Sequence, residues 1–299
     1  MQRIVSPDDP IAIIDSGLGG LTAARQIRAM LPNEQIVYFG DTARAPYGWK
    51  SGETVTSFVR QIVNYLRRHD PKHIVIACNT ASALALPAIR AAFPNLPVSG
   101  VVEPAARAAV DAAGAKSVPM IGIMATEATI WSKAYEKAIH RRRHHARLLL
   151  RPSPLLVSLV EEGRDDNDAV VKLALQQYLH PLVQRGVDVL ILGCTHYTML
   201  KVAIARVVGK QTVLIDSAQQ CAEDVARRLQ ATSLLRGGPI GGAGGIRCFV
   251  SDESFRFRSL ARRFFGAEVE APTVVTTAEL HALDETSTGG AAAAMRASA

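Results

Sequence analysis

Two cysteines stand in matching settings. Cys78 closes the apolar run of HIVIACNTASA (His73–Ala83) and is followed by Asn79 and Thr80. Cys194 closes VDVLILGCTHY (Val187–Tyr197) and is followed by Thr195 and His196. A thiol placed after a strand and before a helix lies among free backbone N–H groups, which stabilise a thiolate. A single such cysteine is usually a small packed hydrophobe. A matched pair has a chemical use. One thiolate removes an acidic hydrogen from one face of a carbon, the other, as a thiol, supplies a proton to the opposite face, and the roles exchange in reverse. Free thiols titrate near ~8.5 and need partners to poise them. Asp15 is suited to orient or deprotonate Cys78, and His196 and Glu161 are suited to do so for Cys194. Other chemistries fit less well. A metal would find Cys194 and His196, but no matching C-x-x-C or H-x-x-x-H pair. A cysteine hydrolase would use Cys194 with His196 and leave Cys78 without a task.

The elements that must hold these residues alternate along the chain. Short apolar runs read as strands at Ile11–Ile14, Gln35–Phe39, His73–Ala77, Val98–Val102, Met120–Met124, Arg147–Leu150, Val187–Leu192, Val213–Ile215 and Arg247–Val250. Amphipathic stretches at Leu21–Leu31, Ser51–His69, Asn167–Gln184 and Ser217–Gln230 read as helices. Fully apolar strands alternating with helices imply parallel sheets covered on both faces. The chain also repeats itself. IAIIDSGLGGLTAARQI and IGIMATEATIWSKAYEKAI open two halves with strand, turn and helix, and each half later carries its cysteine. The expected fold is α/β, with two pseudo-symmetric domains of largely parallel strands and the active site in the cleft between them. Residues 10–100 plus 212–270 are assigned to the first domain and 101–211 to the second. The glycine-rich stretch 232–245 reads as a surface loop. The Ala-, Thr- and Gly-rich stretch 271–299 reads as a disordered tail.

DSGLGG (Asp15–Gly20) follows a strand and opens a helix, where α/β proteins bind anions. Thr22 stands where the dinucleotide fingerprint needs its third glycine, so a nicotinamide cofactor is not inferred. As a turn, the segment would have Asp15 cap the helix. Tyr47 reads either as a packed turn aromatic or as a ligand contact beside the Gly48 N–H, and Cys221 and Cys248 read as core thiols. The formal charge is +7, with an excess at Arg141, Arg142, Arg143 and Arg147, between which lie His144 and His145. The run reads as a solvated helix end and loop. No nucleic-acid motif or interleaved aromatic accompanies it. No apolar run approaches the roughly 18 residues of a membrane helix. The N-terminus lacks the pattern of a signal peptide, and a cytoplasmic protein is expected.

With these residues in view, the chain resembles the glutamate racemases of the aspartate/glutamate racemase superfamily. The likeness covers roughly residues 10–266. It rests on DSGLGGLT (15–22), GDTARAPYG (40–48), ACNTAS (77–82), PLLVSLVEEG (154–163) and GCTHY (193–197), with FVSDESFRFRSLARRFFG (249–266) in support. The resemblance implies catalytic cysteines at Cys78 and Cys194, assisted by Asp15, Glu161 and His196. It implies that substrate is contacted by Asp15, Ser16, Tyr47, Gly48, Asn79, Thr80, Thr195 and His196. It further implies no cofactor and no metal, glutamate as the small-molecule partner, and D-glutamate supplied for peptidoglycan. Cys78 would act on D-glutamate and Cys194 on L-glutamate. No nucleic-acid or membrane partner is expected, and a homodimer is an open option. The family usually has proline after GCTHY, where this chain has Thr198. Within PLLVSLVEEG, Glu161 rather than Glu162 is taken as the assisting acid. Two alternatives stand beside this reading: a racemase of aspartate or a related acid, and a non-catalytic two-lobed protein that binds an amino acid.

Overall fold

The structure, a computed structural model, describes residues 5–238, 244–253 and 255–284. Its strands are β1 (Ile11–Asp15), β2 (Ile36–Gly40), β3 (His73–Ile76), β4 (Val98–Gly100), β5 (Met120–Ala125), β6 (Arg147–Pro152), β7 (Val189–Gly193), β8 (Val213–Asp216), β9 (Ile246–Val250) and β10 (Thr273–Val274). The helices are α1 (Leu21–Met30), α2 (Gly52–Leu66), α3 (Asn79–Ala92), α4 (Val102–Ala112), α5 (Glu127–Trp131), α6 (Ala134–His140), α7 (Leu155–Glu161), α8 (Ala169–Gln184), α9 (Lys201–Val208), α10 (Ser217–Ala231) and α11 (Phe257–Phe265).

Among the described residues the strands form two sheets, both parallel throughout. One runs β10-β9-β2-β1-β3-β4 and the other β6-β5-β7-β8. The second sheet repeats the order of the first four strands of the first, with β5 to β8 standing for β1 to β4. Each sheet is wound in both directions from its first strand, so β1 and β3, and likewise β5 and β7, flank a switch point. The crevice at the carboxyl ends of such strands is where α/β sheets bind ligands.

Strand composition explains the layering. Along β1, Ile11 and Ile13 face one apolar cluster and Ala12 and Ile14 face another. The first of these clusters continues through Leu190 and Leu192 of β7, so one core lies between the two sheets, with α1, α7, α8, α9, α10 and α11 contributing to it. The far faces are covered separately, by α2 and α3 over the first sheet and by α4 and α6 over the second. Capping fixes several helix starts. Ser51 accepts the Thr54 N–H, Asp168 the Val170 and Val171 N–H groups, and Asp216 the Ala218 N–H.

Two expectations require correction. Segment 212–216, assigned to the first domain, contains β8, which pairs with β7 and belongs to the second sheet. The apparent repeat, followed to its fourth strand, requires this. The tail is also not disordered from residue 271. Thr273 and Val274 pair with β9, residues 277–284 are helical, and Val275 and Leu280 are buried in the core of the first sheet. Asp284 accepts hydrogen bonds from Arg60 and Asn64 of α2. Alanine and threonine content hid these few apolar anchors. Residues 285–299 of that expected tail lie outside the described residues. So do 239–243 of the expected glycine-rich loop, whose flank is tied down where Lys72 Nζ donates to the Leu234 carbonyl and Glu34 accepts the Arg236 N–H. The basic run leaves the end of α6. Arg141 and Arg142 pair with Glu103, and Arg143 donates to the Gly114 and Lys116 carbonyls. Among the described residues no helix is long and apolar enough to cross a membrane.

Candidate active site

One cavity lies at the carboxyl ends of the central strands, between the two sheets. Cys78 and Cys194 both line it, and each is largely buried. Cys78 follows β3 and caps α3, its Sγ accepting the Ala81 N–H at 3.5 Å. Cys194 follows β7 and precedes a 3-10 turn over Thr195–Leu200, which leads into α9. The two thiols therefore reach one space from equivalent places in two equivalent sheets. Cys221 and Cys248 are buried in the core instead.

The two thiols have different surroundings. Burial, and then the Asp15 charge, pushes the Cys78 thiol up to about 12, while the Ser16 hydroxyl and the Ala81 N–H act in the opposite sense. Asp15 ends β1 and lies beneath the cavity wall. Burial holds its carboxyl above the ordinary range, although His196 and the Gly17 and Gly20 N–H groups pull it down. Cys194 faces an acid/base pair. Its Sγ stands 3.7 Å from His196 Nδ1, and His196 Nε2 bonds Glu161 Oε1 at 2.9 Å. Burial opposes a charged ring here, but the bonds to Cys194 and Glu161 outweigh it and push His196 up to about 10. The His196 bond in turn holds Glu161 below its ordinary range. Glu162, the neighbouring acid, points away and pairs with Arg164 at 2.9 Å.

The other predicted residues gather at the same cavity. Ser16, Tyr47, Gly48, Asn79, Thr80, Thr195 and His196 all line it, whereas Asp15 stands behind them. Tyr47 is buried and donates its hydroxyl to Asp41, which also accepts from Ser251 and Arg44. It therefore presents its ring and backbone rather than its hydroxyl. Asn79 is held at both ends of its amide: Tyr135 Oη donates to Oδ1 at 2.6 Å, and Nδ2 donates to Ser217 Oγ at 3.2 Å. The glycines of DSGLGG serve close approach. A Cβ on Gly19 would stand 2.4 Å from Thr195 Oγ1, and one on Gly20 would stand 2.6 Å from Asp15 Cβ. Thr22 completes the meeting of the two loops, donating to the Gly19 and Thr195 carbonyls. Thr198 donates to Asp216 at 3.0 Å, tying the 3-10 turn to the cap of α10.

Sequence reasoning missed part of the second wall. Thr126, Glu127, Val157 and Ser158 also line the cavity. Thr126 shares hydrogen bonds with Thr80 at 2.8 Å and Thr129 at 2.9 Å, joining α3 to α5. The internal repeat contained the signal, because Thr126 after β5 occupies the place of Ser16 after β1. Among the described residues, no lysine or arginine lines the cavity and no three His, Cys, Asp or Glu side chains gather as a metal site would need. An anionic ligand would meet hydroxyls, an amide, helix-start N–H groups and His196.

Comparison with known proteins gives the family. The family model for Asp/Glu/Hydantoin racemase matches residues 22–225. A glutamate racemase of Geobacter metallireducens is 45% identical over 265 residues, covering 88% of this chain and 95% of that protein. Among solved structures, glutamate racemase from Francisella tularensis in complex with D-glutamate superposes with a TM-score of 0.82 at 34% identity, covering 90% of this chain and 98% of that one. The glutamate racemase of Thermus thermophilus, in complex with beta-chloro-D-alanine, gives a TM-score of 0.80 at 41% identity, covering 92% and 99%. By sequence and by fold, the chain belongs to the Asp/Glu/hydantoin racemase family, among the glutamate racemases.

Proposed function

We propose that the protein interconverts L- and D-glutamate without a cofactor, by moving the α-proton between Cys78 and Cys194 on opposite faces of the substrate. The observation that carries this reading is the meeting of two buried thiols in one cavity, one from each sheet. On the Cys78 side, Asp15 accepts the thiol proton. A carboxyl held above its ordinary range is a better base for this than an ordinary one. The substrate ammonium, entering beside Cys78 and Asp15, offsets the cost of a buried thiolate. On the Cys194 side, the proton passes between Sγ and His196 Nδ1, and Glu161 stabilises the charged ring. Cys78 works on D-glutamate and Cys194 on L-glutamate. Ser16, Tyr47, Gly48, Asn79, Thr80, Thr195 and His196 contact the substrate, whose carboxylates are met by hydroxyls and N–H groups, whereas Asp15, expected among these contacts, stands behind the cavity wall and acts through Cys78.

The biological use that goes with this chemistry is a supply of D-glutamate for peptidoglycan, made in the cytoplasm. Four free thiols fit a reducing compartment. The reading needs no nucleic acid. It also carries a homodimer, which sedimentation tests.

The direct test is chiral chromatography of glutamate incubated with the purified protein, with aspartate run in parallel. D-glutamate should accumulate from L-glutamate until the two are equal. Cys78→Ala and Cys194→Ala should each lower the rate by about 10²–10⁴-fold in both directions, because each direction needs one acid and one base. Inversion of aspartate in preference to glutamate would move the reading to that substrate. Binding without turnover would leave a two-lobed binding protein.

A further inference from the structure

The closing segment FVSDESFRFRSLARRFFG has no part in the chemistry described so far, yet its helix α11 reaches the back of the Glu161–His196 pair in two ways. Phe264 is fully buried and meets the His196 ring edge to face, with centroids 5.5 Å apart and planes at 80°. Arg263, the residue before it, donates from Nη1 to the Val160 carbonyl at 2.8 Å and from Nη2 to the Arg164 carbonyl. These two carbonyls bracket Glu161, the last residue of α7. One guanidinium therefore clamps the chain on both sides of that residue, and its charge suits a helix carboxyl end.

The clamp answers a mechanical need. The Glu161 side chain is 48% exposed and is held at its tip by His196. Helix α7 has only seven residues, too few to hold its own end rigidly. A fixed fork of N–H donors on two carbonyls supplies the missing constraint on the main chain. The aromatic edge supplies it for the ring. Both residues lie behind the cavity wall, so neither touches substrate.

We infer that Arg263 and Phe264 are positioning residues for the Cys194 half of the reaction, keeping the Glu161 carboxylate and the His196 ring aligned with the Cys194 thiol. The inference rests on the two-thiol reading above, which fails by itself if the wild-type protein does not racemise glutamate.

The test is Arg263→Met, which keeps the stem and removes both hydrogen bonds, together with Phe264→Leu. Loosening the pair by up to ~1 Å should lower kcat by about 10–100-fold in Arg263→Met, with the melting temperature reduced by only about 2–8 °C. Rate loss alone does not say which thiol is affected, since the enantiomers are equal in energy and kcat/KM must fall equally both ways. Isotope effects separate the two. With substrate deuterated at Cα, a slowed Cys194 step should raise the primary effect on L-glutamate, whose hydrogen Cys194 removes, and lower it on D-glutamate. Phe264→Leu should shift both effects in the same sense, and Arg263→Lys, which keeps the charge without the fork, should fall between Arg263→Met and wild type. A rate within about twofold of wild type for Arg263→Met overturns the inference. So does a rate loss that leaves both isotope effects unchanged, since that marks a merely structural role. If Arg263→Met does not fold, Arg263→Lys and Phe264→Leu carry the same isotope readings, and unchanged effects in both overturn it equally.

Discussion

Gly19→Ala is a one-carbon perturbation whose effect follows from distances. Gly19 is not among the glycines with positive φ, so alanine brings no backbone strain there. What it brings is a methyl group 2.4 Å from Thr195 Oγ1, 2.5 Å from His196 Cε1 and 2.7 Å from His196 Nδ1. Carbon contacts are ordinarily about 3.5–4.0 Å, so the ring must give by about 1 Å. It has little slack, because Nε2 bonds Glu161 at 2.9 Å, Nδ1 faces Cys194 Sγ at 3.7 Å and Phe264 stands against it. Misplacement of about 1 Å near a reacting group costs on the order of 10²-fold in rate. Overpacking costs about 1–3 kcal/mol of stability, which is a fall of about 2–5 °C in melting temperature for a chain of this size. The expected variant is thus folded but slow. Initial rates by chiral chromatography, with thermal melts by circular dichroism, measure both quantities. Gly52→Ala is the control, since its added carbon would meet only Leu84 Cδ2, at 3.7 Å. A Gly19→Ala enzyme within about threefold of wild type refutes the argument, because the loop would then have absorbed the methyl group without moving His196.

Three further outcomes are expected. In deuterated water, early L-glutamate formed from D-glutamate carries deuterium at Cα while unreacted D-glutamate carries little; product that keeps its original hydrogen, read by mass spectrometry, contradicts two separate thiols. Truncation after Ala271 removes β10, the buried Val275 and Leu280, and the Asp284 bonds to Arg60 and Asn64. Each buried aliphatic side chain contributes about 1.5–3 kcal/mol, so the shortened protein melts several degrees lower, and an unchanged melt shows that this segment adds nothing. His73 is buried beside Ser99, and burial pushes it down to about 4 from 6.5. Between those values the unfolded chain binds a proton that the folded one does not, so stability falls as pH is lowered through that window. Thermal melts across it check the sign, and His73→Gln flattens the slope if His73 is the cause.

Much of this protein was legible as a string of residues. Apart from the two-residue β10, which was read as part of a tail, the strands are short apolar runs, and that pattern is local, so they fell within a residue or two of their places. The thiols, Asp15, His196 and the hydroxyl neighbours were marked by residue type and by their position after a strand, and a repeated strand-turn-helix pattern announced two halves. What the string did not contain was partnership. A strand such as Val213–Asp216 looks the same whichever sheet it joins, and only its pairing with Val189–Gly193 assigned it. The choice between Glu161 and Glu162 came down to which acid faced His196 at the end of α7, a matter of helix phase and docking. Thr126 and Ser158 joined the cavity because two sheets met across it, and Arg263 and Phe264 met α7 and His196 from about 70 to 100 positions away in the chain. Close approach is likewise invisible in one dimension: Gly19 matters because His196 lies against it, and only the packed core between the two sheets brought them together.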